Sequence, residues 1–387
     1  MTRQHYLLPF LSLLFPLGSF AQSGRFSCAT MNVDGLPPSV SFKILGKETT
    51  IQVNPDARED EGARAISARM VEKNVDFLGV NEDFNYHTAL MEAFTAKGYV
   101  AYTHRGGMSL QEAGGLAAAL LNYALKNPLV HADGLNLICR AKPDEGFPSN
   151  TATGEKIVAW NDAYGYLDHD NDALTNKGFR YYRVTTGSGQ NACELDVYVL
   201  HADAGSGWQD GDDGDILVRE KQMKQLADYI KKTVSERPMI IMGDFNSYYT
   251  RDRLKELLID PLEAINDGQL KVNDCWVETA RGGEFPVYDL AANGYNGHNG
   301  ESIDKILFVN NKRSPVQLVL EQYSMGYDFK DEAGKPLSDH YPAFAQFAYY
   351  SASTTIGTLA RTVRDVQLGR ARQVDLDKEV ERLLNAE

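Results

Sequence analysis

Carboxylates, carboxamides and imidazoles stand repeatedly at the ends of apolar runs in this chain. TMNVDG puts Asn32 and Asp34 after one run, LGVNEDF puts Glu82 after another, and VYVLHADAG closes on His201 and Asp203. IMGDFNS closes on Asp244 and Asn246, ESIDKILF opens a run at Asp304, and LSDHYPAFAQF sets Asp339 and His340 just before the last. Asn32, Glu82 and Asp339 are hard oxygen donors of the kind that hold Mg²⁺ or Mn²⁺ with water completing the shell. His340 beside a carboxylate such as Asp304 makes a base with its orienter, which fixes the tautomer and stabilises the imidazolium. Asp244, Asn246 and His201 can position water and stabilise the charge of a crowded phosphoryl transition state. Each residue alone has a plainer reading. Asp244, Asn246 and Asn32 suit Asx turns, His201 a satisfied core histidine, and Asp339 and His340 a cap before a strand. Together they break too many apolar runs to be buried unpaired without large cost, so they are expected to converge on one site.

The elements that must position them are legible as runs and periodicities. FSCATMNV, VDFLGVN, GGLAAALLN, GFRYYRVTT, ACELDVYVLHA, PMIIMGD, SIDKILFVN and PAFAQFAYY read as strands, either alternating or rich in β-branched and aromatic residues. Helical patterns occupy residues 62–73, 86–97 and 215–232. In the last, Ile216, Met223, Leu226 and Ile230 share one face, as in a helix laid on a sheet. The order predicts a layered α/β protein. Residues 142–154, 205–214 and 282–300 are dense in Gly, Asp, Asn or Pro and read as loops. There is no internal repeat, and one large domain over residues 24–350 is expected. From residue 351 the pattern changes: Leu359, Val363 and Val366, then Leu376, Val380 and Leu383, recur at helical steps, predicting an amphipathic helix or helix pair over 351–387.

A chain of 387 residues with 43% apolar and 24% charged residues can bury a large core. Residues 1–21 combine a short basic start, an apolar segment from Leu7 to about Phe20, and the small residues Ser19 and Ala21. They read as a cleaved secretory signal peptide, with the mature chain beginning near Gln22 in the periplasm or outside the cell. The four cysteines, Cys28, Cys139, Cys193 and Cys275, show no C-x-x-C spacing, which argues against structural zinc and leaves buried thiols or one disulfide. The net charge of −14 argues against a protein that grips nucleic acid through a broad basic surface, so no stable nucleic-acid partner is expected. It does not exclude a nuclease, since a divalent cation can supply the positive charge.

In its motifs the chain resembles the endonuclease/exonuclease/phosphatase (DNase I-like) superfamily of metal-dependent phosphoesterases. GDFN and SDHYP carry the resemblance most specifically, with NED, HADAG and IDKILF in the same order, from about Thr30 to Phe347. The resemblance implies a four-layered α/β sandwich, two packed mixed β-sheets flanked by helices. It implies that Asn32 and Glu82 bind Mg²⁺ or Mn²⁺, with Asp339 near the metal. Asp244 and Asn246 would handle the water and the transition state, His201 would contact the phosphate, and Asp304 would pair with His340.

That superfamily spans several phosphoester chemistries, so its fold does not name the substrate. NDALTNKGFRYYRV followed by LHADAGSG, with Arg219 and Gln222 on the next helix, resembles the bacterial sphingomyelinase branch. Asp203 stands where that branch usually has glutamine or leucine, and GSGWQDGDDGD is more acidic than its counterpart. Asp83 after Glu82 contrasts with the Lys or Arg common in the nuclease branches and would repel a nucleic-acid backbone. The expectation is a secreted phosphodiesterase releasing a phospholipid head group, with Phe285, Tyr288 and Tyr295 as a possible apolar contact for a membrane. The alternatives are a DNase I-like endonuclease, an inositol-phosphate phosphomonoesterase, and a binding protein that kept the fold without turnover. The oligomeric state is left open.

Overall fold

The computed structural model describes residues 23–44, 47–52, 54–102, 133–140, 151–163, 177–187, 189–205, 214–293 and 300–351. In the C-terminal segment it describes 359, 362–363, 365–366 and 372–384. The signal peptide expected over residues 1–21, the strand expected at GGLAAALLN, and Tyr295 lie outside these residues.

Two six-stranded mixed sheets pack face to face. The first runs β13 (Val316–Met325), β14 (Ala343–Ser351), β1 (Ser23–Asn32), β4 (Phe77–Asn81), β6 (Asn136–Arg140), β5 (Tyr99–Ala101). The second runs β11 (Leu270–Asp274), β12 (Asp304–Asn311), β10 (Met239–Asp244), β9 (Cys193–His201), β8 (Gly178–Thr186), β7 (Thr151–Ala159). Each has one parallel pair at its centre, β1 with β4 and β9 with β10, and antiparallel neighbours outside it. Central strands covered on both faces need no polar alternation, which is why MIIM reads as a continuous apolar run.

Side-chain alternation assigns each strand residue to a layer. Phe26 and Cys28 of β1 and Val197 and Val199 of β9 point into the core between the sheets. Ala29 and Met31 point the other way, under Ala63, Ile66 and Met70 of α1 (Glu59–Lys73) and Leu90 and Phe94 of α2 (His87–Ala96). Tyr198 and Leu200 face Met223, Leu226 and Ile230 of α3 (Gly214–Thr233). Helix, sheet, sheet, helix: these are the four layers the resemblance implied. Burying each large aliphatic side chain contributes about 1.5–3 kcal/mol, and the inter-sheet core holds all four cysteines as buried thiols. Gly79 allows the sheets to close, since a Cβ there would lie 2.9 Å from Met242 Cε.

The expected helices appear at 59–73, 87–96 and 214–233. Several strands lie outside the runs read from the sequence: the hairpin β2 (Ser39–Ile44) with β3 (Lys47–Gln52), and β5, β6, β11 and β13. The loop expected over 142–154 is corrected at its end, because β7 already begins at Thr151 and pairs with β8. Within 282–300 a short helix forms at Leu290–Asn293, and Phe285 is half-buried and packs on Tyr249 with ring centroids 5.1 Å apart. Tyr288 lies under Arg253, 5.9 Å from the guanidinium carbon. In the tail, Leu359 and Val363 bury against Leu376 of the helix Gln373–Leu384. Among the described residues no helix is long and apolar enough to cross a membrane.

Candidate functional site

The register of the strands explains why the polar residues meet. Asn32 and Asn81 end the parallel pair β1 and β4 as register partners, and His201 and Asp244 end β9 and β10 in the same way. Asp304 opens the antiparallel β12 directly opposite Asp244. His340 lies in the turn before β14, whose start is antiparallel to the end of β1. Ser338 secures this turn: its Oγ donates to the Asn32 carbonyl at 2.8 Å and accepts the His340 amide at 3.1 Å. One sheet thus brings Asn32, Glu82, Asp339 and His340, and the other brings His201, Asp244, Asn246 and Asp304. Asn81, fully buried, ties the two halves by accepting the Asp244 amide on Oδ1 at 3.2 Å and donating Nδ2 to the Leu200 carbonyl.

Asp244 is the hub. Its Oδ2 accepts from Asn32 Nδ2 at 3.2 Å and lies 3.5 Å from His201 Nε2 and 3.6 Å from His340 Nε2, while Oδ1 accepts the Asn246 amide at 2.9 Å. Gly243 makes this placement possible: at φ 145° a Cβ would lie 1.9 Å from the Leu200 carbonyl oxygen. Asn246 is half-buried, has φ 46°, and donates Nδ2 to the Ala202 carbonyl at 3.3 Å. His340 Nδ1 sits 2.7 Å from Asp304 Oδ2, leaving Nε2 toward Asp244. Burial opposes charge on His340, but Asp304 and Asp244 overcome it and hold the imidazole well above its ordinary range. His201 is the converse: burial, then the positive charges of Lys177 and His340, keep it neutral. Burial raises Asp244, and Asp304 adds to the rise while His340 and Lys177 oppose it.

The carboxylates form a second group at the rim. Glu82 has φ 58°, a left-handed conformation that costs a non-glycine residue about 1–2 kcal/mol, and its Oε1 accepts from Asn32 Nδ2 at 3.0 Å. Burial pushes the Glu82 carboxyl up to about 7, with Asp339 and Asp34 adding to the rise and Lys177 and Asn32 opposing it. Burial, then Asp339, pushes Asp34 up to about 6, with its hydrogen bond from Asn54 opposing. Asp339 is exposed, with Oδ1 3.2 Å from Ser338 Oγ. Three mutually repelling carboxylates beside the Asn32 carboxamide fit a hard divalent cation, which would offset the burial that lifts Glu82 and the repulsion that adds to it. Asp244, Asp304 and His340 form a further group whose ligand atoms all lie within 4.8 Å of one another.

All eight residues singled out from the sequence stand at this end of the two sheets. Lys177 was missed as a site residue although NKGF was noted. It is half-buried, donates toward the Ala202 carbonyl at 3.4 Å, and its charge is felt at Glu82, His201 and Asp244. Asp83 does not face an approaching nucleic-acid backbone as expected: its side chain is buried and meets Asn136 Nδ2 at 2.9 Å and His87 Nδ1 at 2.7 Å.

A model of the Endonuclease/Exonuclease/phosphatase family matches residues 29–340. The chain is similar to the sphingomyelinase of Mycobacterium bovis, with 26% identity over 337 residues, covering 86% of this chain and 55% of the relative. The sphingomyelinase of Mycobacterium tuberculosis matches to the same extent. The chain spans about half the length of these curated relatives. Among solved structures, a humanized TDP2 from D. rerio has a TM-score of 0.52 and 15% identity, covering 84% of this chain and 98% of that one, a likeness of fold alone.

Proposed function

The chain belongs to the endonuclease/exonuclease/phosphatase family, and from that premise we propose that it is a secreted, divalent-metal-dependent phosphodiesterase that releases a phospholipid head group. The observation that carries the chemistry is the 2.7 Å contact of Asp304 Oδ2 with His340 Nδ1, which turns Nε2 toward Asp244 and the space beside it. A signal peptide over 1–21, the enzymatic unit over 24–350 and a helical extension over 351–387 belong to the same proposal.

Asn32, Glu82 and Asp339 would hold the cation, Mg²⁺ or Mn²⁺, which when bound would supply positive charge to the phosphate. Asp304 keeps the His340 proton on Nδ1, so that Nε2 accepts the proton of a water. The water oxygen bonds to phosphorus while the bond to the leaving oxygen, on the opposite side, breaks. Asp244, anchored by the Asn246 amide, orients that water, and Asn246 helps stabilise the transition state. Neutral His201 donates to a phosphate oxygen, with Lys177 adding positive field.

Support for a lipid comes from the similarity to sphingomyelinases, the order of NKGF and HADAG, and the net charge of −14, which disfavours a polyanion. The test offers purified protein with Mg²⁺ sphingomyelin vesicles, phosphatidylinositol, inositol phosphates and plasmid DNA side by side. Phosphorylated head group released fastest from a phospholipid supports the reading. Nicked plasmid with intact lipid replaces it with an endonuclease, and orthophosphate from inositol phosphates replaces it with a phosphomonoesterase.

A further inference from the structure

The loop after His201 and the loop after Asp244 hang from one buried carboxylate. Arg219, on α3 and fully buried, donates Nη1 to the backbone carbonyls of Ala204 and Gly205, both at 2.6 Å, and of Asp203 at 3.3 Å. Its Nε donates to Asp252 Oδ1 at 2.9 Å. Asp252 Oδ2 accepts from Arg251 Nε at 2.7 Å and from the Tyr248 amide at 2.9 Å. Arg251 Nη2 then donates to the carbonyl of Asn246, and the Asn246 side chain closes the ring on the Ala202 carbonyl. Gln222, one turn along α3, accepts the Asp203 amide at 2.8 Å.

The physical case for a role beyond stability rests on cost. Buried guanidiniums and carboxylates lose their hydration, and apolar side chains of similar volume usually stabilise a core as well or better. What an arginine fork offers is geometry, since its planar donors fix several carbonyls at set angles. Here the fixed carbonyls belong to the residues that follow His201 and to Asn246 itself, whose φ of 46° needs holding. Resting on the phosphodiesterase reading, the geometry points to Arg251, with Asp252 and Arg219, as positioning residues. They set the separation of His201 and Asn246 without touching substrate.

The test compares Arg251→Met, which cuts the tie to Asn246 but leaves the Arg219–Asp252 pair, with Arg251→Lys, which returns a donor. The readouts are kcat and KM on bis(p-nitrophenyl) phosphate, the Mg²⁺ dissociation constant, and the melting temperature. Arg251→Met is expected to lower kcat about 100-fold, a loss typical of a displaced catalytic group, with KM and metal affinity within about twofold of wild type. Arg251→Lys is expected to recover about tenfold of that loss. A folded Arg251→Met protein with wild-type kcat, or one in which KM and metal affinity carry the loss, overturns the assignment. If Arg251→Met does not fold, Arg251→Gln, whose shorter neutral amide can still donate to Asp252 while the Arg219–Asp252 pair stays intact, is judged by the same criteria. Failure of both to fold makes the bridge a folding element and overturns the positioning role. A wild-type protein inactive on every diester overturns the functional reading, and this one with it, and the wild-type control tells the two failures apart.

Discussion

At the scale of single residues, the site is governed by which groups carry protons. Asp304 and Asp244 raise His340 above its ordinary value, so its basic form becomes populated only as pH rises, and kcat/KM should climb on that limb. Asp304→Asn removes the charge that raises His340 most, lowers the His340 pKa, and should move the limb to lower pH at a reduced maximum. A pH–rate profile with an unmoved limb would remove His340 from the role of base. Glu82 has the opposite bearing on stability. Its folded-state carboxyl, near 7, stands above its ordinary value of 4.5, so between those values the native state keeps a proton that the unfolded chain has lost. The metal-free protein should therefore lose stability as pH rises from about 4.5 to 7, and a cation that replaces the proton should restore it. The Mg²⁺-induced rise in melting temperature should be larger at pH 8 than at pH 5.5 and small in Glu82→Gln, whose turnover should fall about 100-fold or more. Equal metal shifts in both proteins would show that Glu82 is not a ligand.

At the scale of elements, the strand ends were readable because each polar residue interrupts an apolar run, and β-pairing then dictates what faces what. Asp244 lies opposite both Asp304 and His201 by register alone. The hairpin β2 with β3, and β13, do not stand out as apolar runs: SVSFKI alternates strictly between Pro38 and Gly46, KETTIQ is mostly polar, and VQLVLEQYSM loses its alternation after Leu320. Nothing in NED announces the left-handed backbone of Glu82, which depends on how β4 leaves its sheet. Arg251 and Asp252 were likewise unreadable, since YYTRDR looks like an ordinary charged turn until α3 brings Arg219 to it. Gly243 is the element-scale feature with a definite cost. A Cβ pressed against the Leu200 carbonyl would force β9 and β10 apart, so Gly243→Ala should destabilise the fold by about 3 kcal/mol and lower activity in the fraction that folds. Urea denaturation reads the first quantity, and a loss below about 0.5 kcal/mol would mean that the strands accommodate the methyl group.

At the scale of the whole molecule, two sheets each contribute half of one site, and no single supersecondary unit contains it. The layered α/β class was legible because the helical face of 215–232 and the doubly apolar central strands leave few other ways to bury both, while the four-layered sandwich was implied by the resemblance that GDFN and SDHYP carry. The substrate was not legible, because recognition depends on loops, whereas the legible residues stand at strand ends that carry the chemistry. The central claim is water attack at phosphorus, dependent on a divalent cation, and hydrolysis of sphingomyelin vesicles in H₂¹⁸O tests it most directly. With Mg²⁺ present, phosphocholine bearing a single ¹⁸O is predicted, and neither EDTA-treated protein nor His340→Ala should form it at an appreciable rate. Labelled oxygen in the lipid alcohol instead of the phosphate, or unchanged release after EDTA treatment, would contradict the account.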